Sequence, residues 1–288
     1  MGSKRILLVS VAFFVLVAAH GIEASQSHPF GGLIESQLDS DANIMDRICV
    51  LWYLPNTGWV LWVHWNNGRV WLAPRGQGSA AAVWILDEGD RALSSLRSIM
   101  IGWDVLPEAY GDSKTHFCTK WTNDGFQSTG CINMNCPGFQ PEKGAAIVPG
   151  DTIDHVSSPK GAKRNLNLKI IKNGTSGDWL VHCGLDRDPE LIGRFPRSLL
   201  TGGFADKAVT INFGGVVTRP APMGSGYLPT PDPGSAASIS NILLVDSSGR
   251  ASPVPEVLRK VETNQGAYAV SPFVGGKFFY GGRAQHNA

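Results

Sequence analysis

Apolar residues along this chain fall in short runs separated by glycine- and proline-rich turns, the pattern of packed β-sheets rather than of helices. Trp59–Trp65 alternates large and small residues around Trp62 and His64, Asn67-Gly68 supplies a tight turn, and Arg69–Leu72 returns, so a hairpin is predicted. Leu166, Leu168 and Ile170 alternate with Asn167, Lys169 and Ile171, and Asp178–Cys183 returns after a polar turn, predicting a second hairpin. Helical spacing is confined to two short stretches. Leu93, Leu96 and Ile99 repeat every three residues from Asp90, and Phe195–Gly202 opens with Pro196, which suits a first helical turn. Pro220–Gly234 holds five prolines and predicts a long loop or cover segment, not a core strand. The expected fold is therefore all-β, an antiparallel β-sandwich with one or two short helices.

The N-terminus predicts export. Basic Met1–Arg5, the 14-residue apolar run Ile6–Ala19 and the small residue ending Ile22-Glu23-Ala24 make a signal-peptide pattern over residues 1–24. That run is shorter than the roughly 20 residues a spanning helix needs, and no later segment is long and apolar enough. No membrane partner is expected after cleavage. Residues 25–78 form a leader or linker carrying the Trp-rich hairpin, 79–282 the main domain, and 283–288 a tail. Twenty-five basic residues against 24 acidic ones leave no field to draw nucleic acid. Five cysteines, at 49, 118, 131, 136 and 183, predict at least one disulfide and at least one leftover thiol in an exported chain, with Cys131 and Cys136 the favoured pair. Asn173-Gly174-Thr175 is an N-glycosylation sequon on a turn that would expose it, or equally an Asn-Gly hairpin turn with φ > 0 at both central residues.

Longer motifs narrow the field. These are Ile101–Asp112 (IGWDVLPEAYGD), Trp121–Phe139 (WTNDGFQSTGCINMNCPGF), Ser176–Leu180, Ile192–Leu200, Ile211–Gly215, Met223–Tyr227 and Phe278–Gly282. In order and spacing, from about Gly78 to about Gly282, the chain resembles the neprosin family of plant secreted proteins, whose active members are glutamic endopeptidases cutting at proline under acid conditions. The resemblance implies an antiparallel sandwich with a long cleft across one sheet, a Cys131–Cys136 bridge, and Trp103, Trp121 and Gln127 lining the cleft.

The same resemblance implies a loss. The family reaction uses two glutamates across the cleft, one activating water and one protonated against the scissile carbonyl. Such pairs work because neighbouring like charges cannot both ionise easily. The first address, two positions before Gly102-Trp103, holds Met100, and the second, after Gly214-Gly215, holds Val216. Neither side chain exchanges protons, and a dyad that acts as a unit fails as a unit. Asp104 would share the Met100 face about 13 Å along an extended strand, and nothing acidic lies between Asp206 and Asp232. The family's paired tryptophans after Gly177 are reduced to Trp179-Leu180, and the aromatic before Phe195 is Arg194.

Other constellations lead nowhere catalytic. The seven histidines include no pair at metal-ligand spacing, so no metal or cofactor is expected. Gly224-Ser225-Gly226 is read as a turn, and Asp154-His155 and Asp186–Glu190 as solvated loops. The expected function is a secreted, catalytically inactive neprosin-like protein whose cleft holds extended proline-containing peptide or cell-wall polymer. One alternative is an active acid prolyl endopeptidase using other acids. Another is a carbohydrate-binding or defence module built on the five tryptophans between Trp52 and Trp71.

Overall fold

In a computed structural model, the protein is described over residues 47–55, 60–66, 77–90, 92–158, 161–205, 210–218, 221–229, 235–246, 249–254, 259–262 and 266–282. The signal-peptide pattern and Asn67–Leu72 lie outside these residues. The described chain is two antiparallel sheets with almost no helix, which is the predicted fold class. Strands β1 (Arg47–Pro55), β3 (Gly78–Asp87), β4 (Arg97–Val105), β5 (His116–Thr122), β6 (Cys131–Ile132), β11 (Thr210–Thr218) and β14 (Arg259–Glu262) build the first sheet. Its order is β14-β1-β11-β3-β4-β5-β6. The second contains β2 (Val60–Asn66), β7 (Gln140–Pro141), β8 (Asn165–Lys172), β9 (Trp179–Leu185), β10 (Glu190–Phe195), β12 (Ala237–Val245), β13 (Ala251–Pro253), β15 (Tyr268–Val270) and β16 (Lys277–Gly282). It runs β15-β16-β12-β2-β8-β9-β10-β7, with β13 also on β12.

The core between the sheets is aromatic. Phe213 of β11 lies 5.9 Å from Phe278 of β16, centroid to centroid. A Cβ on Gly215 would strike Met223 and Tyr280, so the glycine lets β11 approach the second sheet closely. Partners directly opposite in an antiparallel ladder share a face. The inward set is therefore Ile211, Phe213, Gly215 and Val217 of β11, Ala81, Val83 and Ile85 of β3, Ile99, Ile101 and Trp103 of β4, and Phe117 and Trp121 of β5.

The predicted β8–β9 hairpin forms, pairing Leu166 with Leu185 through Lys172 with Trp179. Of the predicted Trp62 hairpin, the first arm is β2, bonded to β8 on one side and β12 on the other, and the returning Arg69–Leu72 lies outside the described residues. β1 likewise sits between β11 and β14, so among the described residues the first sheet includes Arg47–Pro55, upstream of the predicted 79–282 domain. Short-range periodicity shows that a segment is extended but not which distant strand it joins.

Both helix expectations shrink to single turns. Leu93–Ser95 is a 3₁₀ turn before β4, and Arg197–Leu199 another after β10. Leu96 and Ile99 are buried, but Ile99 belongs to a strand, so the three-residue spacing was coincidental. The one α-helical turn described, α1 (Pro107–Tyr110), begins on Pro107 and ends on Gly111 at φ +80, whose N–H donates to Pro107 O at 2.8 Å. Proline-first, glycine-last is the helix grammar the sequence carried there.

Cys131 and Cys136 are joined, with Cα atoms 5.7 Å apart, while Cys118 and Cys183 are buried free thiols. The bridge closes the loop after β6. Replacing both bridged residues by serine is expected to lower unfolding stability by about 2 kcal/mol, from the chain entropy of so small a loop, measured by denaturant titration of the oxidised parent and the variant.

Candidate functional site

The outward face of the first sheet carries both family glutamate addresses. Opposite Met100 stand Trp84 of β3 and Lys120 of β5. Beyond Trp84 lies Asn212 of β11. Val216 shares a row with Ala80 and Asp104. Met100 and Val216 are thus two strands and four residues apart, about 16 Å between Cα atoms on a flat lattice. Ala82 lies midway, flanked in its row by Gly102 and Gly214. Two upright positions therefore flank a floor of very small residues. A main chain laid across that floor would meet no side chain larger than a methyl group. The face is closed to solvent in this structure: Ala80, Ala82, Trp84 and Met100 are each 0% exposed.

Trp103 and Trp121 are not on that face. Trp103 pairs with Ala81 and Phe117, and Trp121 with Ile99, which places both indoles on the inward side, 2% and 8% exposed. They pack the core, and Gly138 exists against Trp121 because a Cβ there would strike the indole. The reading of these two as cleft-lining is corrected by the two-residue period of a strand. Gln127 is exposed on the β5–β6 loop. Asp124 builds that loop: its carboxylate accepts from Thr129 N at 3.0 Å, Thr129 Oγ1 at 2.7 Å, Ser128 N at 2.9 Å and Gln127 N at 3.1 Å. Partial burial pushes the Asp124 carboxyl upward, but the Ser128 and Thr129 hydrogen bonds outweigh it and hold the group below the usual carboxylate range. The WTNDGFQST motif thus has a structural explanation.

The acid on the Met100 face is Asp104, and it is occupied. Lys120 Nζ donates to Asp104 Oδ2 at 3.0 Å, both side chains being 1% exposed. Tyr110, brought round by α1, donates from its hydroxyl to Asp104 Oδ1 at 2.7 Å. Asn133 Nδ2 donates in turn to Tyr110 Oη at 2.9 Å, and Asn133 Oδ1 accepts from Thr119 N at 2.9 Å. The Tyr110 ring stacks on His116 at 3.8 Å. His116 sets its two ring nitrogens against Gly150 O at 2.7 Å and Asp112 Oδ1 at 2.9 Å. Every oxygen of Asp104 is therefore engaged by a fixed donor.

Electrostatics follow from burial. Burial pulls the Lys120 ammonium toward deprotonation, yet the Asp104 charge beside it wins and holds the group above its ordinary value. Burial and then the Asp104 charge raise the Tyr110 hydroxyl, which stays a neutral donor. Burial, with the same carboxylate, pushes the Cys118 thiol well up, so it is no nucleophile. Cys183 is pushed up to about 12 by burial. Sequence reading had placed Asp104 on the right face but had passed over Lys120, Tyr110, Asn133 and Trp84. Lys120, on the face opposite Phe117 and Trp121 in the strand His116–Thr122, was the available signal.

Asp104→Ala would leave the Lys120 charge buried without its counter-ion, and is expected to cost on the order of 3–5 kcal/mol. The double change Asp104→Leu, Lys120→Met is expected to recover most of that loss in thermal melts. For pH the sign follows from the raised lysine: its stabilisation is complete below the ordinary value of 10.5 and is lost as pH climbs through the higher folded value. The parent should therefore lose stability as pH rises from 10.5 toward the higher folded value, a loss which the double variant lacks.

The sequence model of the Neprosin family matches residues 75–283 of this chain. Among solved structures, Scytalido-glutamic peptidase, crystallised with a peptide-based transition-state analogue, superposes with a TM-score of 0.41 at 9% identity, covering 83% of this chain and 98% of that one. SCP-B, a member of the Eqolisin family of peptidases in complex with the tripeptide Ala-Ile-His, gives 0.40 at 8% identity with the same coverage of 83% and 98%. The family match spans both outward-face addresses and all the strands between them, and on it the chain belongs to the Neprosin family.

Proposed function

We propose that this chain is a secreted, peptidase-related protein without peptidase activity, which holds extended polymer on the Met100–Val216 face instead of cutting it. The observation that carries the reading is the state of Asp104. Among the described strands it is the acid on that face, and it is bonded to Lys120 and Tyr110. The family reaction needs two carboxyl groups in opposite protonation states, and a single carboxylate neutralised by an ammonium 3.0 Å away supplies neither a free base nor an acid. This weakens the alternative of an active enzyme drawing on other acids.

Secretion is supported by the signal-peptide pattern, the Cys131–Cys136 disulfide and the family. The ligand class, proline-containing peptide or cell-wall polymer, is supported by the Ala80, Ala82, Gly102 and Gly214 floor, which admits a main chain at close range. Because the face is closed in the free chain, binding is coupled to its opening, and apparent affinity falls by the open fraction.

Purified protein is expected to leave proline-containing peptides intact at acid pH, followed by mass spectrometry over long incubation. Cleavage that disappears in Asp104→Asn would overturn the reading in favour of an acid protease built on that residue. Restoring glutamates is not expected to suffice. A Glu at position 100 would stand directly across β4–β5 from Lys120 and be held ionised, so Met100→Glu, Val216→Glu should remain silent. Adding Lys120→Gln is the change expected to let acid-dependent cleavage appear, with folding checked by thermal melt.

A further inference from the structure

The β8–β9 loop carries the one Asn-x-Ser/Thr sequon in the chain, Asn173-Gly174-Thr175. Its alternative explanation, a two-residue Asn-Gly hairpin turn with both residues at positive φ, is not what forms. Neither Asn173 nor Gly174 has positive φ, and the left-handed residue of this loop is Gly177 at φ +76. The loop is wider: Asn173 N donates to Asp178 O at 2.8 Å and Gly177 N to Asn173 O at 2.8 Å. Backbone geometry therefore does not demand the Asn-Gly pair.

The Asn173 carboxamide is instead fixed through its oxygen. Oδ1 accepts from Thr175 N at 2.8 Å and from Ser176 N at 3.1 Å. This turn would be served equally by aspartate, which has the same acceptor. Two further atoms have no structural employment: Asn173 Nδ2 and Thr175 Oγ1 bond to no described group. Gly174, Thr175 and Ser176 are exposed, and a Cβ built on Gly174 meets nothing within 4 Å. The amide nitrogen and the hydroxyl two residues on are thus presented together on an open hairpin tip, and the amide is polarised by two N–H donors on its oxygen.

We propose that Asn173 is an N-glycosylation site. The donor is a lipid-linked oligosaccharyl pyrophosphate, met with its transferase in the secretory pathway. Asn173 Nδ2 loses a proton and bonds to the anomeric carbon of the first sugar, as the bond from that carbon to the pyrophosphate oxygen breaks and the lipid pyrophosphate leaves. The glycan would stand off the end of the second sheet, away from the Met100 face of the first.

The test is expression of the full chain in a eukaryotic secretory host, with peptides mapped by mass spectrometry before and after peptide-N-glycosidase F. Residue 173 is expected to read as aspartate only after the glycosidase, and the intact chain to lose one glycan. Thr175→Ala, which removes a hydroxyl with no described partner, is expected to abolish the modification while leaving the melting temperature of the deglycosylated protein unchanged. Asn173→Asp should do the same. Recovery of the parent with residue 173 unmodified, whether from the medium or retained in the cell, overturns the proposal, as does modification that persists in Thr175→Ala.

Discussion

The two-residue period of β4 governs everything chemical in this molecule. Along one strand, Met100, Gly102 and Asp104 face outward and Ile99, Ile101 and Trp103 face the second sheet. The adjacent strands repeat the division, so the outward rows hold Lys120, Asp104 and the small floor residues Ala82, Gly102 and Gly214, while the inward rows hold Phe213, Val83, Ile101, Phe117 and Trp121. A slip of one residue would exchange the two sets and send the Lys120–Asp104 pair into the aromatic core. The ion pair and the core thus specify the same register independently.

That pair also explains how a face without its expected acids remains compatible with folding. An ammonium and a carboxylate in a closed environment are tolerable only when their remaining hydrogen-bonding capacity is met. Tyr110 meets it for the carboxylate and is itself held by Asn133, and α1 exists to turn Tyr110 back over the strand. A motif that reads as a family signature, from Ile101 to Asp112, is in physical terms a strand, its acid, and the helical turn that secures the acid.

Much of this was legible beforehand, and the exceptions share a cause. Alternation and turn residues predicted sheets and the β8–β9 hairpin, and cysteine spacing together with the family resemblance predicted the Cys131–Cys136 bridge. The same alternation, applied to Met100 and Trp103 three residues apart, already implied opposite faces; the cleft reading of Trp103 followed the motif instead. What could not be read was long-range pairing. Nothing local in Val60–Asn66 announces β8 and β12 as its neighbours, and nothing in Arg47–Pro55 announces β11. The Lys120–Asp104 bond escaped for the same reason, since it needs the β4–β5 register before the two residues meet.

The placement of β1 and β2 has a consequence for how the protein is made. Each is an early segment wedged between partners from much later in the chain, β2 beside β12 and β1 beside β14. Neither sheet can be completed until nearly all of the polypeptide has emerged, which is a high-contact-order topology and a slow one to fold. A recombinant polypeptide begun near residue 79, where the family signature starts, would lack both wedges. It would present four unsatisfied ladders to solvent and would be prone to edge-to-edge aggregation.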